Sequence, residues 1–246
     1  MRLLRRILLG IVVVSIVAIG YWRYDFADRE HRVTPEALAA LESDAEVSVS
    51  QADWIVFAPS GTTPTKGLIF YPGGECDERG YAEPLRAIAA SGYLVVLVPM
   101  PWQLAVFAPD RADDVIAAFP DISDWAIAGH SLGGSMAAYY AAKHQDVIKG
   151  LLLWDAYSPS DLSNSTMKVR MIHRSDESRQ PPADYAAKLP LLPKQTEYVP
   201  LVGGQHLNYG RFIAGRLYRD AGPAELDPDQ QRAQAAAASI EFMRAL

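Results

Sequence analysis

The chain predicts an α/β fold built on a mostly parallel sheet, and two observations carry that expectation. Short apolar runs rich in Val, Ile and Leu alternate with Ala-rich stretches of helical length, the pattern of strands joined through crossover helices. With 246 residues, 50% of them hydrophobic, the chain has enough apolar sequence for one large core and too little for two substantial ones.

The N-terminus comes first. Arg2, Arg5 and Arg6 precede a run from Ile7 to Trp22 that holds no charge and no proline. A span needs about 20 apolar residues, and Leu3, Leu4, Tyr24 and Phe26 extend the run into both interfaces. As a secretory signal peptide it would be cleaved after the small-residue stretch Ala18-Ile19-Gly20. As an uncleaved signal anchor it would set Tyr21, Trp22 and Tyr24 in the aromatic belt of the far interface. The anchor is favoured, because bulky Tyr-Trp is a poor sequel to a cleavage site. Arginines on the short side keep that end in the cytoplasm, so everything after Trp22 is expected outside it. Residues 1–22 are thus read as anchor, 23–50 as a tether packed on the domain edge, and 51–246 as the globular domain. Within the tether, Thr34 as cap and Pro35 at the first helical position signal one short helix.

In the domain, strands are expected at Ala52 to Phe57, Leu68 to Tyr71, Leu94 to Pro99, Trp125 to Ala128, Gly150 to Asp155, Val169 to His173 and Thr196 to Val199. Helices are expected at Tyr81 to Ala90, Arg111 to Phe119, Ser131 to His144, Ala183 to Leu189 and Asp227 to Arg244. Such sheets gather their ligand sites at the carboxyl ends of the strands.

Charge and cysteine content narrow the functional classes. Lys+Arg 23 against Asp+Glu 29 gives a net charge of −6, and no basic run follows the first six residues, which excludes a nucleic-acid binder. A single cysteine, Cys76, rules out an internal disulfide framework and a Cys-rich metal site. In its loop it reads as a packed small residue, with no histidine beside it to activate the thiol.

The informative motif follows the strand Trp125 to Ala128: Gly129-His130-Ser131-Leu132-Gly133-Gly134, leading directly into a helix. This is G-x-S-x-G in strand-turn-helix context, where the glycines relieve crowding around a serine held on a sharp, exposed turn. Ser131 at a helix N-terminus lies where backbone N–H groups stabilise negative charge. Such a serine needs a base. Of the five histidines, the order Ser, acid, His sets aside His31 and His130 as too early, His144 sits far along the nucleophile helix, and His206, in the Gly-rich loop after the last expected strand, is taken as the base. For the acid, Asp176 follows the strand Val169 to His173, Asp155 ends the strand before it, and Glu177 adjoins Asp176. Asp176 is preferred and Asp155 is the competitor. The oxyanion donors are expected to be the N–H of Leu132 and that of Gly74 in Tyr71-Pro72-Gly73-Gly74-Glu75-Cys76-Asp77, with Gly73 and Glu75 as neighbours of that choice.

These residues resemble the α/β-hydrolase family-5 domain, similar in fold to dienelactone hydrolases. The likeness rests on Tyr71-Pro72-Gly73-Gly74 with Asp77 and Tyr81, on Gly92-Tyr93-Leu94-Val95-Val96 through Pro99-Met100-Pro101 to Leu104-Ala105-Val106, on the Gly-His-Ser-Leu-Gly-Gly elbow, and on Gly203-Gly204-Gln205-His206 with Tyr209-Gly210. It runs from about Leu68 to Gly210 and implies an α/β-hydrolase fold with Ser131, Asp176 and His206 as triad. Gln205 stands where the family usually has Asn, Tyr209 where it has Phe, and no Gly follows Asp176.

Only Ala156 to Lys168 separates the strand holding Asp155 from the next, so no cap domain is expected. A shallow site follows, edged by Trp102, Phe107, Trp154 and Tyr157 as pocket candidates and suited to small or externally presented acyl groups. The expected function is hydrolysis of a small ester-like substrate, a carboxylic ester or lactone, through an acyl-enzyme and without metal or organic cofactor. Two alternatives stand beside it: acyl transfer to an acceptor other than water, and a catalytically silent membrane-tethered binding protein.

Overall fold

The structure is a computed structural model that describes residues 2–213, 215 and 224–246. Its centre is one eight-stranded sheet: β1 (Val47–Gln51), β2 (Ile55–Pro59), β3 (Lys66–Tyr71), β4 (Leu94–Leu97), β5 (Asp124–His130), β6 (Ile148–Trp154), β7 (Lys168–Ser175) and β8 (Glu197–Val202). The spatial order is β1-β2-β4-β3-β5-β6-β7-β8. β2 runs antiparallel to both of its neighbours, and every other pairing from β4 to β8 is parallel.

Alternation along the central strands sorts side chains onto two faces. Leu68 and Phe70 of β3 point to a core shared with Leu85 and Ile88 of α3 (Ala82–Ala90) and Phe242 and Met243 of α6 (Pro228–Ala245). Ile69 and Tyr71 point the other way, to Val115 of α4 (Ala112–Ala118) and to Ala137, Tyr140 and Ala141 of α5 (Ser131–Lys143). Both faces of the sheet are therefore covered. Small residues let α5 sit close: a Cβ on Gly133 would fall 2.1 Å from the Pro72 carbonyl oxygen, and one on Gly129 2.5 Å from the Gly133 carbonyl carbon.

At the N-terminus, α1 (Arg2–Arg29) is a single helix whose stretch Arg5–Ala27 is long and apolar enough to cross a membrane. The short helix α2 (Pro35–Ala39) begins as expected, the Thr34 hydroxyl accepting from the Ala37 N–H at 3.3 Å.

Two expectations are corrected. β1 begins inside the stretch read as tether, so the sheet begins before residue 51. Its sequence Val-Ser-Val-Ser-Gln alternates, but over too few residues to stand out. The helix expected at Ala183 to Leu189 is instead a pair of 3₁₀ turns, Ala183–Tyr185 and Leu189–Leu191. Pro181, Pro182 and Pro190 bound a segment too short to close a run of α-helical hydrogen bonds.

Candidate active site

The register of the parallel strands assembles the site. His130 and Trp154 are paired across β5 and β6, so Ser131 and Asp155 each stand one residue beyond that pair, at the carboxyl edge of the sheet. Both leave their strands with a left-handed backbone, φ 51° for Ser131 and 43° for Asp155, conformations that cost an ordinary residue about 1–2 kcal/mol. The loop after β8 brings in His206. Its Nε2 lies 2.9 Å from Ser131 Oγ, which donates to it, and its Nδ1–H donates to Asp155 Oδ2 at 2.5 Å.

Asp155, not Asp176, therefore meets the histidine. Ile172 pairs with Trp154, so Asp176 lies four residues past that level, about 13 Å along the strand direction at 3.3 Å per residue. Its carboxylate is exposed and accepts the Ser178 N–H at 2.8 Å, closing a surface turn, and Glu177 is exposed beside it. Asp155 by contrast is fully buried. Its Oδ1 accepts the Arg174 N–H at 3.3 Å, and its Oδ2 takes the Arg174 guanidinium as well as His206. Burial pushes its pKa up, but the hydrogen bond and charge of His206 and then the charge of Arg174 outweigh it and hold the group below the ordinary carboxylate value. The Tyr185 hydroxyl donates to the Asp155 carbonyl at 2.7 Å, fixing the backbone of this turn. Arg174 was not picked out from the sequence. Its pairing with Asp155 depends on which strands are neighbours.

The two expected oxyanion donors lie together. A Cβ on Gly74 would be 3.1 Å from Leu132 Cδ2, so the glycine loop and the helix start are in contact. Within that loop the Gly73 N–H donates to the Tyr81 hydroxyl at 3.1 Å and the Glu75 N–H to the Gln103 carbonyl at 2.9 Å. Leu132 stands in the first turn of α5, where no helical carbonyl precedes it to accept its N–H. The structure thus brings Gly74 and Leu132, the two residues expected to supply the oxyanion donors, into contact, with Leu132 directly after Ser131.

A second histidine, His130, ties these pieces together. Its Nε2–H donates to the His206 carbonyl at 2.7 Å, which leaves Nδ1 to accept from the Tyr81 hydroxyl at 2.7 Å. One buried chain thus runs from the glycine loop through Tyr81 and His130 to His206. Burial, and after it the neighbouring His206, holds the His130 pKa well below its ordinary value, so the ring is neutral. Below about pH 6.5 the unfolded chain takes up a proton that the folded chain refuses, so stability falls as pH falls. The melting temperature is expected to drop between about pH 7.5 and about pH 5, and to drop less in His130→Asn; equal slopes would remove His130 from this account. Buried His173 shifts in the same direction and keeps part of the slope in both proteins.

A cleft of about 520 Å³ opens over the serine, lined by Ser131, Tyr157, Arg174, Tyr185, Gln205 and His206. The connection 155–167 above it holds neither helix nor strand. Of the aromatic pocket candidates, Tyr157 edges this cleft, while Trp102 and Phe107 line a separate one. Trp154 is corrected to core: it is fully buried, packs against Phe70 at 4.8 Å, and donates its Nε1–H to Ser239 at 3.0 Å. Cys76 is buried, which pushes its thiol up to about 12 and leaves it no thiolate near neutral pH. Among the described residues no group of His, Cys, Asp and Glu is arranged to hold a metal.

The profile described as alpha/beta hydrolase family matches residues 67–226, most of the chain and all of the site just described. The chain belongs to the alpha/beta hydrolase family. No curated protein matches this hydrolase in sequence. Among solved structures, a ferulic acid esterase from Streptomyces cinnamoneus is similar with a TM-score of 0.59 at 14% identity, over 76% of this chain and 68% of that one. An esterase from Pyrobaculum calidifontis aligns with a TM-score of 0.58 at 16% identity, over 85% and 89% of the two chains. A soluble variant of monoglyceride lipase from Saccharomyces cerevisiae aligns with a TM-score of 0.57 at 9% identity, over 84% and 96%. At such identities the likeness establishes the fold of this hydrolase.

Proposed function

We propose that this hydrolase cleaves a carboxylic ester or lactone through an acyl-enzyme, with Ser131, His206 and Asp155 as the triad. The observation that carries the reading is the continuous hydrogen-bonded line from Ser131 Oγ through the His206 ring to Asp155 Oδ2. In this reading His206 takes the serine proton as Ser131 attacks the carbonyl, and Asp155 holds the ring with Nδ1 protonated and Nε2 facing the serine. The N–H groups of Leu132 and Gly74 receive the oxyanion, and His206 passes its proton to the leaving alcohol. Water activated by the same histidine then attacks the acyl-serine, and collapse of the second tetrahedral species returns Ser131. Arg174 acts as a positioning residue, a cation on the carboxylate that orients His206.

Esterases and a lipase share the fold, which supports an ester bond as the target. For the N-terminus, the exposure of every apolar side chain from Ile7 to Ile19 supports a retained anchor, since lipid is the phase that covers such a helix without cost. The three N-terminal arginines then place the hydrolase domain outside the cytoplasmic membrane. A fluorophosphonate probe tests both parts. The full-length protein is expected to be labelled at Ser131, and a charged, membrane-impermeant form of the probe is expected to label it on cells whose cytoplasmic membrane is sealed. No labelling at all overturns the nucleophile, and labelling by the permeant probe alone overturns the topology.

A further inference from the structure

An aromatic cluster stands near the end of α1, apart from the cleft over Ser131. Trp22 and Phe26, one turn apart on the helix, join Glu75, Trp102, Leu104 and Phe107 around a cleft of about 450 Å³. The Trp22 and Trp102 rings meet edge to face at 5.5 Å. Trp22 lies five residues before Ala27, the end of the apolar stretch, or about 7.5 Å along the axis at 1.5 Å per residue. A domain residue in contact with Trp22 therefore stands at the depth of the membrane interface, where aromatic rings are favoured.

The loop that makes this contact is built to show its apolar side chains. Trp102 is 64% exposed, Phe107 63% and Val106 44%, although each is large enough to have been buried. The backbone presents them through two consecutive left-handed residues, Trp102 and Gln103, both at φ 56°. Neighbours hold that strained turn: the Gln103 side-chain N–H donates to Glu30 Oε1 at 3.1 Å, and its carbonyl accepts the Glu75 N–H. The same face reaches the chemistry. Leu104 Cδ2 would lie 3.5 Å from a Cβ on Gly74, and Glu75 of the cleft is the next residue after that oxyanion donor.

We propose that the loop Trp102 to Phe107 rests on the membrane crossed by α1, and that the cleft between it and Trp22 takes the apolar chain of an ester drawn from that membrane. The substrate class is then an amphiphile whose carbonyl sits at the interface beside Gly74 and whose chain runs back toward α1. This inference rests on reading α1 as a retained span and Ser131 as nucleophile, and it departs from the expectation of a shallow site for small acyl groups.

The test uses the full-length protein reconstituted in phosphatidylcholine vesicles. In a Trp22→Phe background, brominated acyl chains in the bilayer are expected to quench part of the tryptophan emission, and that part is expected to vanish in Trp22→Phe/Trp102→Phe. Equal quenching in the two proteins overturns the docking. In unbrominated vesicles, Trp102→Ser/Phe107→Ser is expected to lower the ratio of kcat/KM for p-nitrophenyl decanoate over p-nitrophenyl acetate at least tenfold. An unchanged ratio overturns the chain site. Fluorophosphonate labelling of the same preparations separates the two readings: a labelled parent with no quenching defeats this inference alone, and an unlabelled parent defeats the nucleophile beneath it. Extraction of the parent by carbonate defeats the span and the docking together.

Discussion

Ser131→Ala is expected to lower kcat for an ester substrate by roughly 10⁶-fold while moving the melting temperature by no more than a few degrees. The two halves have separate causes. In the proposed mechanism alanine removes the atom that attacks the carbonyl, and without it the His206 and Asp155 line has nothing to activate, so the expected loss is the whole covalent pathway. The fold loses little, because the serine side chain contributes one hydrogen bond to a half-exposed histidine and no core packing. Backbone strain at φ 51° is the same for Ser and Ala, since both carry a Cβ. The donor pair proposed at Leu132 and Gly74 remains, and its binding of a developing oxyanion is expected to leave some residual rate above water. Measured kcat within tenfold of the parent would remove Ser131 from the mechanism, and a collapsed melting transition would mean the elbow serine is structural after all.

Sequence patterning reached the sheet, the elbow and His206 because each has a local signature. Val-rich runs alternating with Ala-rich helices give the layers, and the glycines around Ser131 are imposed by contacts as close as 2.1 Å to the Pro72 carbonyl. His206 was isolated by order along the chain. The acid was not legible in the same way, because Asp155 and Asp176 both follow a strand and both preserve that order. What separates them is how far each neighbouring strand projects past Ser131, a property of inter-strand register that no single stretch of sequence encodes. β7 runs on to Ser175, two residues longer than expected, and carries Asp176 out over the surface. The aromatic residues divide for a related reason. Trp154 alternates inward on β6 and is core, while Trp102 and Phe107 stand on a strained loop whose orientation comes from Glu30 and Glu75 rather than from its own residues.

Asp155→Asn is expected to cost about 10³ to 10⁴ in kcat, and Asp176→Asn to stay within about twofold of the parent. Asparagine at 155 keeps the size of the side chain, so the cleft is preserved, but its amide does not act as an anionic acceptor for the His206 Nδ1–H. The ring is then free to adopt the tautomer that leaves Nε2 protonated, and a protonated Nε2 cannot take the proton of Ser131. The loss also reaches Arg174, whose guanidinium is held by the same Oδ2 and would turn toward Asp184, 3.7 Å from its other nitrogen. Asp176 offers no comparable route to the chemistry, because its carboxylate ends in a turn with Ser178. Binding of a substrate analogue should survive in both variants, so the effect belongs in kcat rather than KM. The reverse ranking of the two variants would move the acid out to the β7 loop, away from the carboxylate that His206 meets in this structure.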